Sequence, residues 1–261
     1  MTGLDFSPAH FTKGVDMDYQ GSPDRVAPTL QTVFRHWEER RKAEVSRADQ
    51  LGGRSLTIAL AREAGTHGSD IAREVGTRLG WPVYDHELLE RIAQDLGIRT
   101  RLLESVDEKR VGWLLEALGG LMPGPSASES AYVHGLVKTV LALGSHGECV
   151  IVGRGAAFIL PAEATLRVRL VAPLKHRVAS IAQRLGLSRD QAKCQTQALD
   201  RERDRFIRDH FFKDPTDRQN YDLVLNCARF GAVGCADVIV TAVERLPLHV
   251  RSEKQQTATR D

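Results

Sequence analysis

Residues 55–70, "SLTIALAREAGTHGSD", decide how the chain is read. A β-rich apolar run passes into a turn carrying Gly65 and Gly68. Ile71, Val75 and Leu79 then recur at helical spacing until Gly80 closes the pattern. A strand feeding a glycine-bearing turn and then a helix presents successive backbone N–H groups that converge on anionic oxygens. Gly65 and Gly68 supply the backbone angles such a turn needs. In the frame G-x-x-x-x-G-K-[ST], Gly68 is the second glycine. Ser69 then stands where the lysine would, and Asp70 where the magnesium-binding hydroxyl would. Backbone donors survive such side-chain changes, but the charge that stabilises a transferring phosphoryl group does not. Taken alone, the turn is equally well an ordinary strand-to-helix connection.

Outward from this stretch the alternation repeats. "WPVYD" is a brief strand, and Asp85 is placed to cap the helix "HELLERIAQDLG", whose Leu88, Leu89, Ile92 and Ala93 make one face. A less regular helical stretch over 99–120 ends in the loop "MPGPSASES", and Val133, Leu136, Val137, Val140 and Leu141 mark another helix. "CVIVGRG" is a buried strand running into glycines. "LRVRLVAP" is a strand whose Pro173 opens the helix "LKHRVASIAQRLG". Ser188 and Gln191 fit a capping box for a long polar helix, "YDLVLN" is the last strand, and Ala236, Val240 and Val243 lie on a final helix. Short apolar strands alternating with helices predict an α/β fold, a five-stranded parallel sheet with helices on both faces. Ligand space in such sheets lies at the carboxyl edge of the strands.

Residues 55–246 form the expected domain. Residues 1–54 read as an N-terminal extension with one amphipathic helix over 29–48, carried by Leu30, Val33, Phe34 and Trp37 and suited to contact with a second copy or a partner. Residues 247–261 read as a disordered tail. Thirty-six basic against 34 acidic residues leave a net charge of +2, which argues against a nucleic-acid coat. The cysteines Cys149, Cys194, Cys227 and Cys235 form neither a C-x-x-C pair nor a zinc spacing. With no apolar run of membrane-spanning or signal length, a cytoplasmic protein without membrane partners is expected. The "HGEC" at 146–149 lacks the P-C-x-x-C that a zinc deaminase requires, and no G-x-S-x-G elbow occurs.

Two further signals fall near strand ends. "VIVGRG" sets Arg154 between glycines, where a guanidinium can grip phosphate or carboxylate through two parallel hydrogen bonds; a surface arginine on a turn fits as well. "LDRERDRFIRDHF" carries Arg201, Arg203, Arg205 and Arg208 beside two aromatics. The plain reading is a solvated helix face paired with its own acids. The alternative is an arm that closes over polyphosphate and neutralises developing charge.

In this order, the motifs "AREAGTHGS", "PVYDHELL", "CVIVGRGAAFIL", "VAPLKHRVASI" and "QNYDLVLN" resemble the cytidylate kinase-like family of P-loop proteins over about residues 55–246. The resemblance implies a nucleoside-monophosphate-kinase-like fold, ATP with Mg²⁺ as phosphoryl donor, and a nucleotide or related small phosphate acceptor. Carried over by position, Gly65, Thr66, His67, Gly68, Ser69 and Asp70 would cradle the donor phosphates, with Asp70 reaching the Mg²⁺. Asp85 and Arg154 would face the acceptor. Arg154, Arg177, Arg203 and Arg205 are the implied catalytic cations, with Arg184 also a candidate for the closing arm and Asp200 orienting an arginine. Arg62 and Glu63 match the family's R-E without an assigned role. Ala64, His67 and Ser69 replace an aromatic, a glycine and a basic residue of the family pattern. Arg73, one turn along the helix, and His67 are the candidates to restore the missing charge. A nucleotide-binding sensor without turnover is the competing expectation.

Overall fold

The computed structural model describes residues 56–94 and 127–246. The expected extension over 1–54, the helical stretch at 99–120 and the tail at 247–261 lie outside the described residues.

Five strands form one parallel sheet in the order β2-β3-β1-β4-β5. They are β1 (Thr57–Arg62), β2 (Val83–Tyr84), β3 (Cys149–Val152), β4 (Thr165–Val171) and β5 (Leu223–Asn226). Between and after them run α1 (Gly68–Leu79), α2 (His86–Gln94), α3 (Ala127–His146), α4 (Ala156–Ile159), α5 (Leu174–Leu185), α6 (Arg189–Phe211) and α7 (Cys227–Arg245). The central strand β1 is matched in register to both neighbours, Thr57 lying opposite Cys149 of β3 and Thr165 of β4.

The alternation of side chains along a strand sorts the core into two layers. Ile58 and Leu60 of β1 point with Val150, Val152, Leu166, Val168 and Leu170 towards α1 and α7, whose Ile71, Val75, Ala236 and Ile239 are buried there. Ala59 and Ile151 point the other way, towards Leu89 and Ile92 of α2, Leu136, Val137 and Val140 of α3, and Phe211 of α6. Each fully buried aliphatic side chain contributes about 1.5–3 kcal/mol relative to exposure, so this two-sided burial sets the strand register. A smaller cluster joins α5 to α6 through Val178, Ile181 and Ala192 and reaches down to Ala64 in the turn after β1.

The ends of the elements follow their local chemistry. Gly80 adopts φ 68° and donates its N–H to Gly76 O, ending α1. Asp85 Oδ1 accepts from Leu88 N at 3.1 Å at the start of α2. Ser188 and Gln191 form the reciprocal capping box of α6. The short helix α4, a single turn, was not legible from the sequence. The thiols of Cys149, Cys227 and Cys235 are buried, that of Cys194 is exposed, and all four are free. Burial pushes the Cys227 and Cys235 thiols up, away from the reactive thiolate form. Among the described residues no helix is long and apolar enough to cross a membrane.

Sheet order places the topological switch between β1 and β3. From β1 the chain crosses to β2 at the edge, returns to β3 beside β1, and then passes to β4 on the far side. The crevice outside the carboxyl ends of β1 and β3 is where sheets of this kind bind ligands.

Candidate functional site

The turn after β1 opens the site. Glu63 N donates to Leu170 O at 3.1 Å, so the chain stays paired with β4 one residue beyond the strand. Gly65 follows at φ 80° and His67 at φ 57°, both left-handed, and α1 starts at Gly68 with no side-chain cap on its N-terminus. A β-carbon on Gly65 would lie 2.6 Å from Arg177 O, so close approach as well as conformation requires glycine there. Thr66 is buried, with its hydroxyl donating to Glu63 O at 2.8 Å. Ser69 is buried in the first turn of α1, so this position carries no charge towards the turn.

Three side chains tie the turn to α5, α6 and the end of β4. Asp200 of α6 accepts from Ala64 N at 2.8 Å through Oδ1 and holds Arg177 Nη1 through Oδ2. Arg177 of α5, buried, also donates from Nε to Ala172 O at 2.9 Å and from Nη1 to Ala64 O at 3.3 Å. Glu63 Oε2 lies 3.2 Å from Arg177 Nε and accepts from Ala172 N at 3.1 Å, and its Oε1 is 3.9 Å from Arg169 Nη2. The family resemblance implied Arg177 as a cation of a closing arm. Here its donors are shared among Ala64 O of the turn, Ala172 O after β4, Glu63 and Asp200.

The outer rim is different in character. Asp70, about half exposed, pairs with Arg73 at 2.8 Å, and His67 lies between Asp70 Oδ2 at 3.3 Å and Ser180 Oγ at 2.8 Å. Arg73 does lean back towards the N-terminus of α1, and it meets the Asp70 carboxylate there.

Across the crevice, Arg154 sits at φ 47° between Gly153 and Gly155. Its Nε donates to His86 Nδ1 at 2.7 Å, and its guanidinium lies 5.4 Å from the Phe206 ring centroid of α6. Two of the four described non-glycine residues with positive φ, His67 and Arg154, are thus on the two facing turns. Such strained conformations concentrate where the surroundings over-determine them. Asp85 lies at the end of β2 and is engaged in capping α2.

The long helix α6 sorts its arginines by face. Arg203 is half-buried and donates from Nη1 to Arg62 O at 3.4 Å. Arg205, two positions on, is 82 % exposed and pairs only weakly with Asp209 at 3.8 Å. Arg201 and Arg208 are exposed, Arg208 pairing with Asp214, and Arg184 of α5 is exposed as well. The structure therefore brings Arg177, Asp200 and Arg203 to the turn and leaves Arg184 and Arg205 outside.

A small cleft of about 90 Å³ is lined by Arg62, Glu63, Arg169, Asp200, Arg203 and Asp204. That is well below the roughly 300–1,000 Å³ of a drug-sized ligand site. Burial raises the Asp204 carboxyl above its ordinary value, against the pull of Arg169 and Arg208. Arg169 and Asp204 were missed from sequence. The signal was present in "LRVRLV", where two arginines interrupt a strand expected to be continuously apolar.

Among the described residues no three His, Cys, Asp or Glu side chains group as a metal site. Asp70 offers a single carboxylate at the rim, which fits a Mg²⁺ ion held mainly by phosphate oxygens and water rather than by a protein cage.

A sequence model of the cytidylate kinase-like family matches residues 57–229. A curated cytidylate kinase from Methanopyrus kandleri is 29% identical over 109 residues, covering 38% of this chain and 56% of the relative. A uronate isomerase from Corynebacterium glutamicum is 35% identical over 104 residues, covering 39% of this chain and 20% of the relative. The chain thus spans only a fifth to somewhat over half of the length of these relatives. A solved structure of an uncharacterized protein from Eubacterium ventriosum superposes with a TM-score of 0.58 at 20% identity, covering 73% of this chain and 98% of that one. That likeness extends the fold assignment and nothing more.

Proposed function

Because the chain belongs to the cytidylate kinase-like family, we propose that it transfers the terminal phosphoryl group of ATP to a nucleoside monophosphate or a related small phosphate acceptor. The observation that carries this reading is the pair of facing turns at the sheet's switch point. The Gly65–Asp70 turn, leading into the uncapped N-terminus of α1, is pinned by Asp200, Arg177 and Glu63. Opposite it stands Arg154. Backbone donors that are rigid before the ligand arrives bind phosphate without reorganising.

On this reading the turn from Gly65 to Asp70 holds the donor phosphates, and Arg154 and Asp85 meet the acceptor. Arg203 stands beside the turn, where α6 can bring positive charge to the reacting group. Mg²⁺ arriving with the nucleotide would neutralise phosphate oxygens, with Asp70 the carboxylate in reach. The chemistry asked of the protein is positioning and charge stabilisation, with no covalent intermediate. A cytoplasmic setting suits a consumer of ATP.

The test is incubation with ATP and Mg²⁺ against a panel of nucleoside monophosphates and small phosphate acceptors, following ADP and the phosphorylated product. Turnover with one acceptor, abolished by Arg154→Ala, supports the proposal. The second reading, a nucleotide-binding protein without turnover, draws on one observation: the position of the loop's basic residue is a buried serine, followed by a carboxylate. Saturable ATP binding with no product from any acceptor would favour it.

A further inference from the structure

The phosphate turn lacks its cation at Ser69, and the two residues expected to replace it lie at the rim. Arg73 is paired with Asp70, and His67 lies between Asp70 and Ser180.

A different arginine crosses the site. Arg62 is the last residue of β1, the central strand, and is buried. Its course is recorded by what two glycines leave room for. A β-carbon on Gly68, the first residue of α1, would overlap Arg62 Cδ and lie 3.1 Å from its Cβ. A β-carbon on Gly153, in the turn after β3, would lie 3.0 Å from Arg62 Nη1. The stem therefore runs over the N-terminus of α1, and the guanidinium reaches the turn that presents Arg154. That course spans the crevice between β1 and β3, the switch point of the sheet. Its backbone carbonyl is held by Arg203, and the residue also lines the small cleft beneath α6.

We infer that Arg62 supplies the positive charge that the phosphate turn lacks, binding the phosphoryl group in transit between the Gly65–Asp70 turn and the Arg154 turn. The inference rests on the phosphotransferase reading. A guanidinium is suited to the position because it stays protonated and offers several donors in one plane to the oxygens of a single phosphoryl group. In the reaction, an acceptor phosphate oxygen forms a bond to the γ-phosphorus as the bond from that phosphorus to the β–γ bridging oxygen breaks. The electron pair leaves with ADP. Arg62 keeps its proton throughout and donates hydrogen bonds to the equatorial oxygens. A β-carbon at Gly68 would displace the stem of this arginine, whereas one at Gly153 would only press on its tip.

The test compares the wild type with Arg62→Gln in steady-state kinetics with ATP, Mg²⁺ and the best monophosphate acceptor, alongside calorimetric titration of ATP·Mg²⁺. A contact made chiefly in the transition state predicts that kcat and kcat/KM fall together by ~10²–10³-fold, while KM and ATP affinity hold. Arg62→Lys, which keeps a charge but not the planar fork, should recover part of that loss. Arg62→Met keeps an unbranched stem over Gly68 and serves in place of the glutamine variant if that one does not fold. A folded neutral variant with wild-type kcat overturns the inference and leaves the phosphotransferase reading standing. A loss seen only in melting temperature and in both KM values, with kcat intact, assigns Arg62 a structural role and also overturns it. A wild type that binds no ATP removes the function and the inference together.

Discussion

Asp200 holds two things at once, and its removal tests whether the turn is anchored as described. Oδ1 accepts from Ala64 N at 2.8 Å, and Oδ2 holds the Arg177 guanidinium. A hydrogen bond to a charged group is worth about 1.5–3 kcal/mol. Breaking a buried ion pair costs about 3–5 kcal/mol when the remaining charge is stranded. Here it is not stranded, because Arg177 keeps Glu63 at 3.2 Å and the carbonyls of Ala64 and Ala172. The Asp200 side chain is also 23 % exposed, so water takes up part of the loss. Asp200→Ala should therefore cost about 3 kcal/mol, or about 6–12 °C in melting temperature for a domain of this size. Asp200→Asn keeps an acceptor for Ala64 N and should cost about half as much. Urea denaturation followed by circular dichroism measures both. A cost for the alanine variant below about 0.5 kcal/mol, the scatter of an ordinary surface substitution, would refute the anchoring.

Gly65→Ala and Gly80→Ala separate crowding from backbone strain. Both positions have positive φ, but a β-carbon at Gly80 meets nothing within 4 Å whereas one at Gly65 meets Arg177 O. The Gly80 variant should lose about 1 kcal/mol and the Gly65 variant at least twice that in the same denaturation assay. Asp204 gives a pH signature. Its raised carboxyl pKa favours the protonated form in the fold, so its contribution is full below the ordinary aspartate value and is lost as pH rises through the raised one. Asp204→Asn should therefore gain on the wild type in urea midpoint across that window and level off above it; a constant difference from pH 4 to pH 7 would contradict the assignment. Ser188→Ala removes the capping box of α6 and should cost about 1 kcal/mol by thermal melt.

The layered fold was legible because its signals are local. Short apolar strands, Gly80 after the α1 stripe, Asp85 before α2 and the Ser188–Gln191 box each specify an element boundary without reference to the rest of the chain. What did not show was α4, a single turn whose residues are buried by neighbours distant in sequence. The departure at Ala64 also gains a reason only in three dimensions. Its small side chain packs beneath Val178, Ile181 and Ala192, where α5 and α6 close over the turn. A bulky aromatic there would have to displace that cluster.

The arginines show where reading by pattern gives out. On α6 the buried or half-buried positions Ala192, Thr196, Leu199, Arg203, Ile207 and His210 recur at helical spacing, so Arg203 lies on the inward stripe. Arg205 is rotated about 200° from it and faces water. The stripe was readable, but it is too polar to announce itself, and adjacency in sequence suggested a single cluster of cations. The burial of Arg177 was not legible either: a basic residue on an amphipathic helix is ordinarily solvent-facing, and only the acids Glu63 and Asp200, brought from other elements, make its burial tolerable. The phosphate frame, finally, looks for its cation immediately after the second glycine. A side chain launched from the end of the central strand can reach the same space from below, provided that nothing grows from α1 or from the turn after β3 to block it. In this chain those two positions are Gly68 and Gly153, and the residue between them is Arg62.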